Sequence, residues 1–237
     1  MICKNQKEID LPLIGGESIN LLIERSPKAK RMRLRIDRLK RRAVLILTKR
    51  SSERAGIAFA AEHGDWLKDQ LALLPEKNVF ADGFRFSLLG EEVVIRHSPL
   101  ARRGVWLDAH VVWVSGEASH LSRRTTDFIK EHFKKYAKSR LKAASEILGV
   151  HVGRLSIRDT KSRWGSCNRK GDISLSWRLA LAPKEVADYV IIHEISHIKE
   201  MNHSESFWRT VSDVMPDYKI RERWLKKNAA YLYSFGA

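Results

Sequence analysis

The sequence predicts an α+β protein with a strand-rich N-terminal part and a C-terminal part built around helices. Between residues 31 and 114, apolar and polar residues alternate over short segments, as they do in half-buried strands. From about Thr125, apolar residues recur every three or four positions, as on the buried face of a helix. Because the pattern changes between Glu117 and Arg124, we expect a basic, β-rich part over residues 1–120 and a second domain over residues 121–237.

Length and composition exclude several classes of protein. The chain has 237 residues, enough for one or two domains. Its apolar runs fall far short of the roughly 20 residues that span a membrane, and residues 1–16 lack the apolar segment of a secretory signal. Two cysteines, Cys3 and Cys167, cannot form a disulfide framework. We therefore expect a cytoplasmic protein without a membrane partner.

The net charge is +16, with basic residues concentrated in segments 24–54 and 123–142. Such a surface attracts polyanions, so a nucleotide or nucleic acid is a candidate partner. The alternative is that these residues form the solvated faces of strands and of a helix. No nucleic-acid-binding motif accompanies the charge, and both interpretations stay open.

The N-terminal part is predicted to contain strands around one helix. Residues 31–37 and 43–48 form a hairpin whose first strand has a cationic outer face. Ser51 or Ser52 caps a helix that runs through Trp66 to Leu74 and ends at Pro75.

Two more hairpins and a long helix follow. The first hairpin pairs residues 84–89 with 93–96 around Gly90, and the second pairs residues 105–107 with 111–114. An apolar stripe then predicts a helix over residues 125–148, which Gly149 ends.

Residues 163–167 and 172–177 are predicted to form another hairpin with a turn at Lys170 and Gly171. This sheet either only packs on the following helix, or its first strand borders a cleft and binds an extended peptide. The candidate substrate-binding residues of that strand are Arg163, Trp164, Gly165, Ser166 and Cys167. Cys167 as a fourth metal ligand would close the position that hydrolysis needs, and no partner that would activate its thiol is identifiable.

The most informative pattern is H-E-I-S-H at residues 193–197, inside a helix predicted over 183–201. His193 and His197 project from one helix face, one turn apart, so both can reach one metal ion. Glu194 points about 100° away and can face water at the metal without being a ligand. This arrangement is typical of zincins.

The third metal ligand is best assigned to His203, six residues after His197. The related metzincin spacing places a glycine at the turn, where this chain has Glu200. Glu200 and Glu205 are alternative oxygen ligands. We favour His203 because Ser204 is a good N-cap for the next helix and would fix the chain direction at the ligand.

The C-terminal third resembles the YgjP-like metallopeptidase-domain family, a relative of the SprT-like and WLM zincins. The stretches that carry the resemblance are K-S-R-W-G-S-C at 161–167, W-R-L at 177–179, Y-V-I-I-H-E-I-S-H at 189–197 and M-N-H-S-x-x-F-W at 201–208. The resemblance implies a zincin-like domain with an active-site helix on a small sheet. It implies metal ligands at His193, His197 and His203, and a catalytic acid/base at Glu194.

We therefore expect a zinc metallopeptidase that acts on a peptide or protein. Zn²⁺ would activate water, Glu194 would accept its proton, and Arg163 or Tyr189 would stabilise the oxyanion. Two alternatives stay open: a metal-dependent nucleoside-triphosphate pyrophosphohydrolase, and a non-catalytic nucleic-acid-binding protein with a structural metal. The sequence has no phosphate-binding loop for the pyrophosphohydrolase, and a non-catalytic binding protein would give Glu194 no function.

Overall fold

The computed structural model describes residues 6–13, 16–37, 40–160 and 163–236, so Cys3 lies outside the described residues. The fold is α+β, as predicted, with small mixed sheets and helices. The chain divides into two compact units, one up to Lys77 and the other over Asn78–Gly236. Residue 120, where the sequence changes from strand to helix, lies inside the second unit.

The first unit is a four-stranded sheet with two helices, and the strand order is β1-β2-β4-β3. Its elements are β1 (Gln6–Pro12), β2 (Ser18–Arg25), β3 (Arg33–Asp37), β4 (Arg42–Leu47), α1 (Glu53–Glu62) and α2 (Gly64–Ala72). The predicted hairpin is confirmed as β3 and β4, with Arg33 and Arg35 exposed. Strands β1 and β2 were not predicted from the sequence. In β2 the run Leu21, Leu22 and Ile23 is buried throughout and shows no alternation.

The single helix predicted after Ser52 is instead two helices. Ser52 caps α1, because its side chain accepts a hydrogen bond from the Ala55 N–H. The helix α1 ends at Glu62, and α2 begins at Gly64. A Cβ atom on Gly64 would lie only 2.6 Å from Leu13 Cδ2, so the glycine lets Leu13 pack against the break.

The second unit begins with a sheet of strand order β5-β6-β8-β7. Its elements are β5 (Arg85–Leu88), β6 (Glu91–Ser98), β7 (Val105–Asp108), β8 (Val111–Ser115) and the long helix α3 (Leu121–Leu148). Both predicted hairpins are confirmed. Gly149 has φ of 63° and ends α3 in the left-handed conformation, as expected.

The third sheet has the order β10-β11-β9, from β9 (Leu155–Arg158), β10 (Gly165–Cys167) and β11 (Ile173–Ser176). The predicted hairpin is confirmed, although Trp177 belongs to the 3₁₀ turn Trp177–Leu181 rather than to the strand. Three helices follow: α4 (Lys184–Ser196), α5 (Glu205–Val214) and α6 (Tyr218–Tyr233).

One hydrophobic core joins the two sheets of the second unit to α3, α4 and α6. Val112 of β8, Phe133 of α3, Leu175 of β11, Ile195 of α4 and Leu232 of α6 all belong to it and are fully buried. Because this core extends across residue 120, the compact unit does not divide there.

No helix within the described ranges is long and apolar enough to cross a membrane.

Arg178 ties the end of the chain to the sheet that carries β10. It is 1% exposed, and its Nε and Nη2 donate to the Phe235 carbonyl at 3.0 and 2.8 Å. Its Nη1 lies 2.5 Å from Asp159 Oδ1. The guanidinium also lies over the ring of Tyr233, which stacks on Trp164 with 4.6 Å between ring centroids.

Replacing Arg178 by Met should lower the free energy of unfolding by about 2 kcal/mol or more, because the buried Phe235 carbonyl loses both donors. Urea denaturation followed by tryptophan fluorescence measures the loss. The control is Arg209→Met, which removes the exposed ion pair between Arg209 and Glu205, one helical turn apart. This substitution should change the free energy of unfolding by less than about 0.5 kcal/mol. Equal effects of the two substitutions would contradict the prediction.

Candidate active site

Helix α4 carries two of the three histidines and Glu194. Its buried positions include Val190, Ile191 and Ile195, which hold the helix in the core. The helix was predicted to continue to Met201, but it ends at Ser196. The backbone N–H groups of His197, Ile198 and Lys199 bond to the third carbonyl back, so the last turn tightens and stops. The chain therefore turns immediately after the motif.

His193, His197 and His203 come together as the sequence predicts. One nitrogen of each ring lies within 4.8 Å of the others, and no acidic residue or cysteine joins this cluster among the described residues. The Nε2 atoms of His193 and His203 are 3.1 Å apart. Two nitrogens that bind one tetrahedral zinc ion at about 2.05 Å lie roughly 3.3 Å apart. The observed spacing therefore suits a shared metal ion.

The surroundings of the histidine rings also suit metal binding. His197 Nδ1 lies 3.0 Å from the Glu200 carbonyl oxygen, a contact that fixes the ring orientation and leaves Nε2 for a metal. His193 Nδ1 is buried without a hydrogen-bond partner in the described part of the chain. The Glu200 contact therefore orients one ring of the cluster, and the described residues offer no such contact to His193 Nδ1.

The electrostatic environment keeps two of the rings neutral, the form that binds metals. Burial, together with the smaller effects of the neighbouring His197 and His203, lowers the pKa of His193 to about 4. The pKa of His197 is also lowered, mainly by burial, although its hydrogen bond to Glu200 opposes the shift.

Helix α5 positions His203. Ser204 caps the helix as predicted, because its side chain accepts a hydrogen bond from the Phe207 N–H. Phe207 is fully buried, and its ring centroid lies 4.6 to 4.9 Å from those of all three histidines. It forms an apolar floor beneath the cluster and was not among the site residues predicted from the sequence.

The alternative oxygen ligands have other partners. The Glu200 carboxylate accepts a hydrogen bond from the Ser206 hydroxyl at 3.2 Å. Glu205 pairs with Arg209 at 3.1 Å on the surface of α5. These contacts favour His203 as the third ligand.

Glu194 lies beside the histidines and is buried, with only 6% of the residue exposed. Burial raises its pKa to about 7, while the positive charge of Arg163 opposes the shift. A Cβ atom on Gly165 would lie 2.5 Å from both Cγ and Oε1 of Glu194. Only a glycine in β10 therefore lets the Glu194 side chain lie this close to the strand.

A cavity of about 270 Å³ opens beside Glu194. Of the predicted substrate-binding residues, Arg163, Trp164, Gly165 and Tyr189 line it together with His193 and Glu194. Helix α6 adds Glu222, Leu225 and Lys226, which were not predicted from the sequence. The apolar spacing of Leu225, Ala229 and Leu232 would have predicted a buried helix face, but nothing local connects it to the motif.

The YgjP-like metallopeptidase-domain model matches residues 30–228. The chain belongs to the YgjP-like family. It is a metallopeptidase, and the family implies a metal ion and a peptide or protein substrate.

Two solved structures are similar to part of this YgjP-like chain. The metallopeptidase zymogen abylysin of Pyrococcus abyssi is 32% identical, with a TM-score of 0.36 over 38% of this chain and 93% of its own. The zymogen jannalysin of Methanocaldococcus jannaschii is 19% identical, with a TM-score of 0.36 over 39% and 96% of the two chains. The search of curated proteins returned no match.

Ser166 and Cys167 are not among the described residues that line the cavity of this YgjP-like protein. Burial, together with the smaller effects of the Glu194 and Asp172 carboxylates, raises the pKa of Cys167 to about 11. The side chain is therefore a neutral thiol near pH 7, which is a poor nucleophile. Its Sγ donates a weak hydrogen bond to the Asn168 carbonyl at 3.4 Å.

The raised pKa of Glu194 predicts a pH-dependent gain in stability for Glu194→Gln in metal-free protein. The pKa is about 7 in the folded state and 4.5 as a free side chain, so the folded state binds the proton more tightly. Wild-type stability falls as pH rises through this window, by up to about 3 kcal/mol from this group. Glutamine does not ionise, so the variant does not lose this stability as the pH rises.

Denaturation of both chelator-treated proteins at several pH values measures the difference. The variant should gain on the wild type from about pH 4.5 to 7, with a constant difference above that range. His193 acts in the opposite direction, but it is present in both proteins. A difference that is the same at all pH values would contradict the prediction.

Proposed function

We propose that this YgjP-like protein is a zinc-dependent metallopeptidase of the HExxH type. His193, His197 and His203 would hold the zinc ion, and Glu194 would be the general base. The observation that carries this proposal is the convergence of three imidazole nitrogens within 4.8 Å, beside a buried carboxylate whose pKa is about 7.

A bound zinc ion supplies Lewis-acid polarisation, and a set of three histidines suits zinc better than magnesium or calcium. Glu194 then takes the proton from the attacking water on a carboxylate oxygen and delivers it to the departing amine nitrogen. A general base is most effective when its pKa is near the working pH, and the burial of Glu194 moves it in that direction. The contact with Gly165 would hold the carboxylate in place.

The strand β10 is the proposed binding edge for the substrate. It pairs with β11 on one side and stands at the end of its sheet, so the other edge can pair with an extended peptide. Arg163, Trp164 and the cavity beside them would contact a substrate side chain.

Tyr189 and Arg163 are the candidate oxyanion donors. Burial and nearby carboxylates raise the pKa of Tyr189, so its phenol stays protonated and can donate a hydrogen bond. Arg163 lines the same cavity and lies close enough to Glu194 to shift its pKa.

The proposed compartment is the cytosol, because the chain has a low cysteine content.

Glu194→Gln should retain bound zinc and lose at least about 100-fold in peptide cleavage, because the general base is removed while the ligands stay. Cleavage of an unfolded protein by the zinc-loaded variant, beside its metal content, measures both effects. The control is Glu131→Gln, which changes the same chemical group at an exposed position of α3 and should keep most of the activity.

The same samples distinguish the alternatives. Full activity in Glu194→Gln would contradict the role of Glu194. Release of pyrophosphate from nucleoside triphosphates without peptide cleavage would favour the pyrophosphohydrolase. Salt-sensitive nucleic-acid binding without any catalysis would favour the binding protein with a structural metal.

His203→Ala should weaken zinc binding by at least about 100-fold, because one of three protein ligands is lost. Competition with a chromophoric chelator measures the affinity. Cys167→Ala is the control and should bind zinc as the wild type does. A loss of affinity in Cys167→Ala, with none in His203→Ala, would show a different ligand set.

A further inference from the structure

A second cleft in the same unit has no part in the proposed reaction. It has a volume of about 740 Å³ and lies between the second half of α3 and the segment that follows it. None of its lining residues lines the cavity beside Glu194. Its volume is within the range of ligand-binding sites, about 300–1,000 Å³.

The floor of this cleft is aliphatic. It is lined by Leu141 of α3 and by Val150, Val152 and Leu155, which follow the left-handed turn at Gly149. These side chains are partly or fully buried against the main core. The floor is therefore a fixed part of the fold that remains open to a ligand.

The rim of the cleft is cationic. It carries Lys134, Lys135, Lys138 and Lys142, and no Asp or Glu is among its described lining residues. Lys134 lies 4.0 Å from Glu131, while the other three lysines have no ion pair with any residue that the structure describes. We call this cleft, with its four lysines and its aliphatic floor, the lysine groove.

We propose that the lysine groove binds an acidic segment of a partner protein in which Asp or Glu residues alternate with aliphatic residues. The aliphatic side chains would enter the floor, and the carboxylates would pair with the lysines. Single-stranded nucleic acid also carries negative charge, but it relies on aromatic rings that stack on its bases. Among the described residues that line the groove, the imidazole of His151 is the only ring, so the aliphatic floor favours a peptide.

The direct test uses a fluorescent synthetic peptide of alternating Asp, Glu and Leu residues. Binding is measured by anisotropy on the full chain in the Glu194→Gln background, so that the peptide stays intact. Lys138→Glu with Lys142→Glu should weaken binding at least tenfold. The control is Arg123→Glu on the same helix but outside the groove, which should weaken binding less than twofold. Methyl NMR shifts should change at Val150, Val152 and Leu155.

Two comparison ligands separate the proposal from general polyanion binding. A peptide with Ser in place of Leu keeps the charge but should bind at least tenfold more weakly. An oligothymidylate of equal charge should not displace the Leu-containing peptide from the groove. Equal binding of the Ser peptide, displacement by the oligonucleotide, or equal losses in the rim and control variants would overturn the proposal. Because binding is measured without turnover, a failure here is distinct from a failure of the proposed peptidase activity.

Discussion

The Glu194 carboxylate lies against the backbone of Gly165, and this contact joins the two elements on which the candidate site depends. Helix α4 supplies the carboxylate, and the edge strand β10 supplies a position without a side chain. The close approach removes water from Glu194, and the loss of hydration raises its pKa toward the neutral range. The same contact places the carboxylate beside the strand proposed to bind the substrate. Any side chain at position 165 would separate the base from that strand.

The rest of the second unit supports this contact from two directions. On one side, Phe207 lies beneath the three histidines, and the Ser204 cap orients the helix that carries it. On the other side, Trp164 precedes Gly165 and stacks on Tyr233, which Arg178 in turn contacts. The hydrogen bonds of Arg178 to the Phe235 carbonyl connect the end of the chain to this arrangement. The position of β10 thus depends on residues about 70 positions later in the sequence.

Local patterns in the sequence were sufficient to predict the hairpins, α3 and the meeting of His193, His197 and His203. Those features depend on spacing within one helix, on a turn, or on a cap such as Ser204. The end of α4 was misplaced because Ile198 continues the apolar spacing beyond the real helix, whereas the tightened backbone hydrogen bonds stop it at Ser196. The contributions of Leu225 and Lys226 to the cavity were not predictable. They depend on how α6 packs on α4, and no short-range pattern encodes that packing.

The high positive charge of the chain has more than one structural setting. On β3, Arg33 and Arg35 alternate with partly buried residues and form the solvated face of a strand. At this position the charge needs no polyanion partner to explain it. On α3, three lysines that form no ion pair within the described part of the chain border the lysine groove, where charge and apolar surface coincide. Charge alone attracts any polyanion, but the apolar surface stabilises the complex only with a ligand that also buries apolar groups. Selectivity at such a surface therefore depends on the floor, and the lysines add affinity for any ligand that carries negative charge.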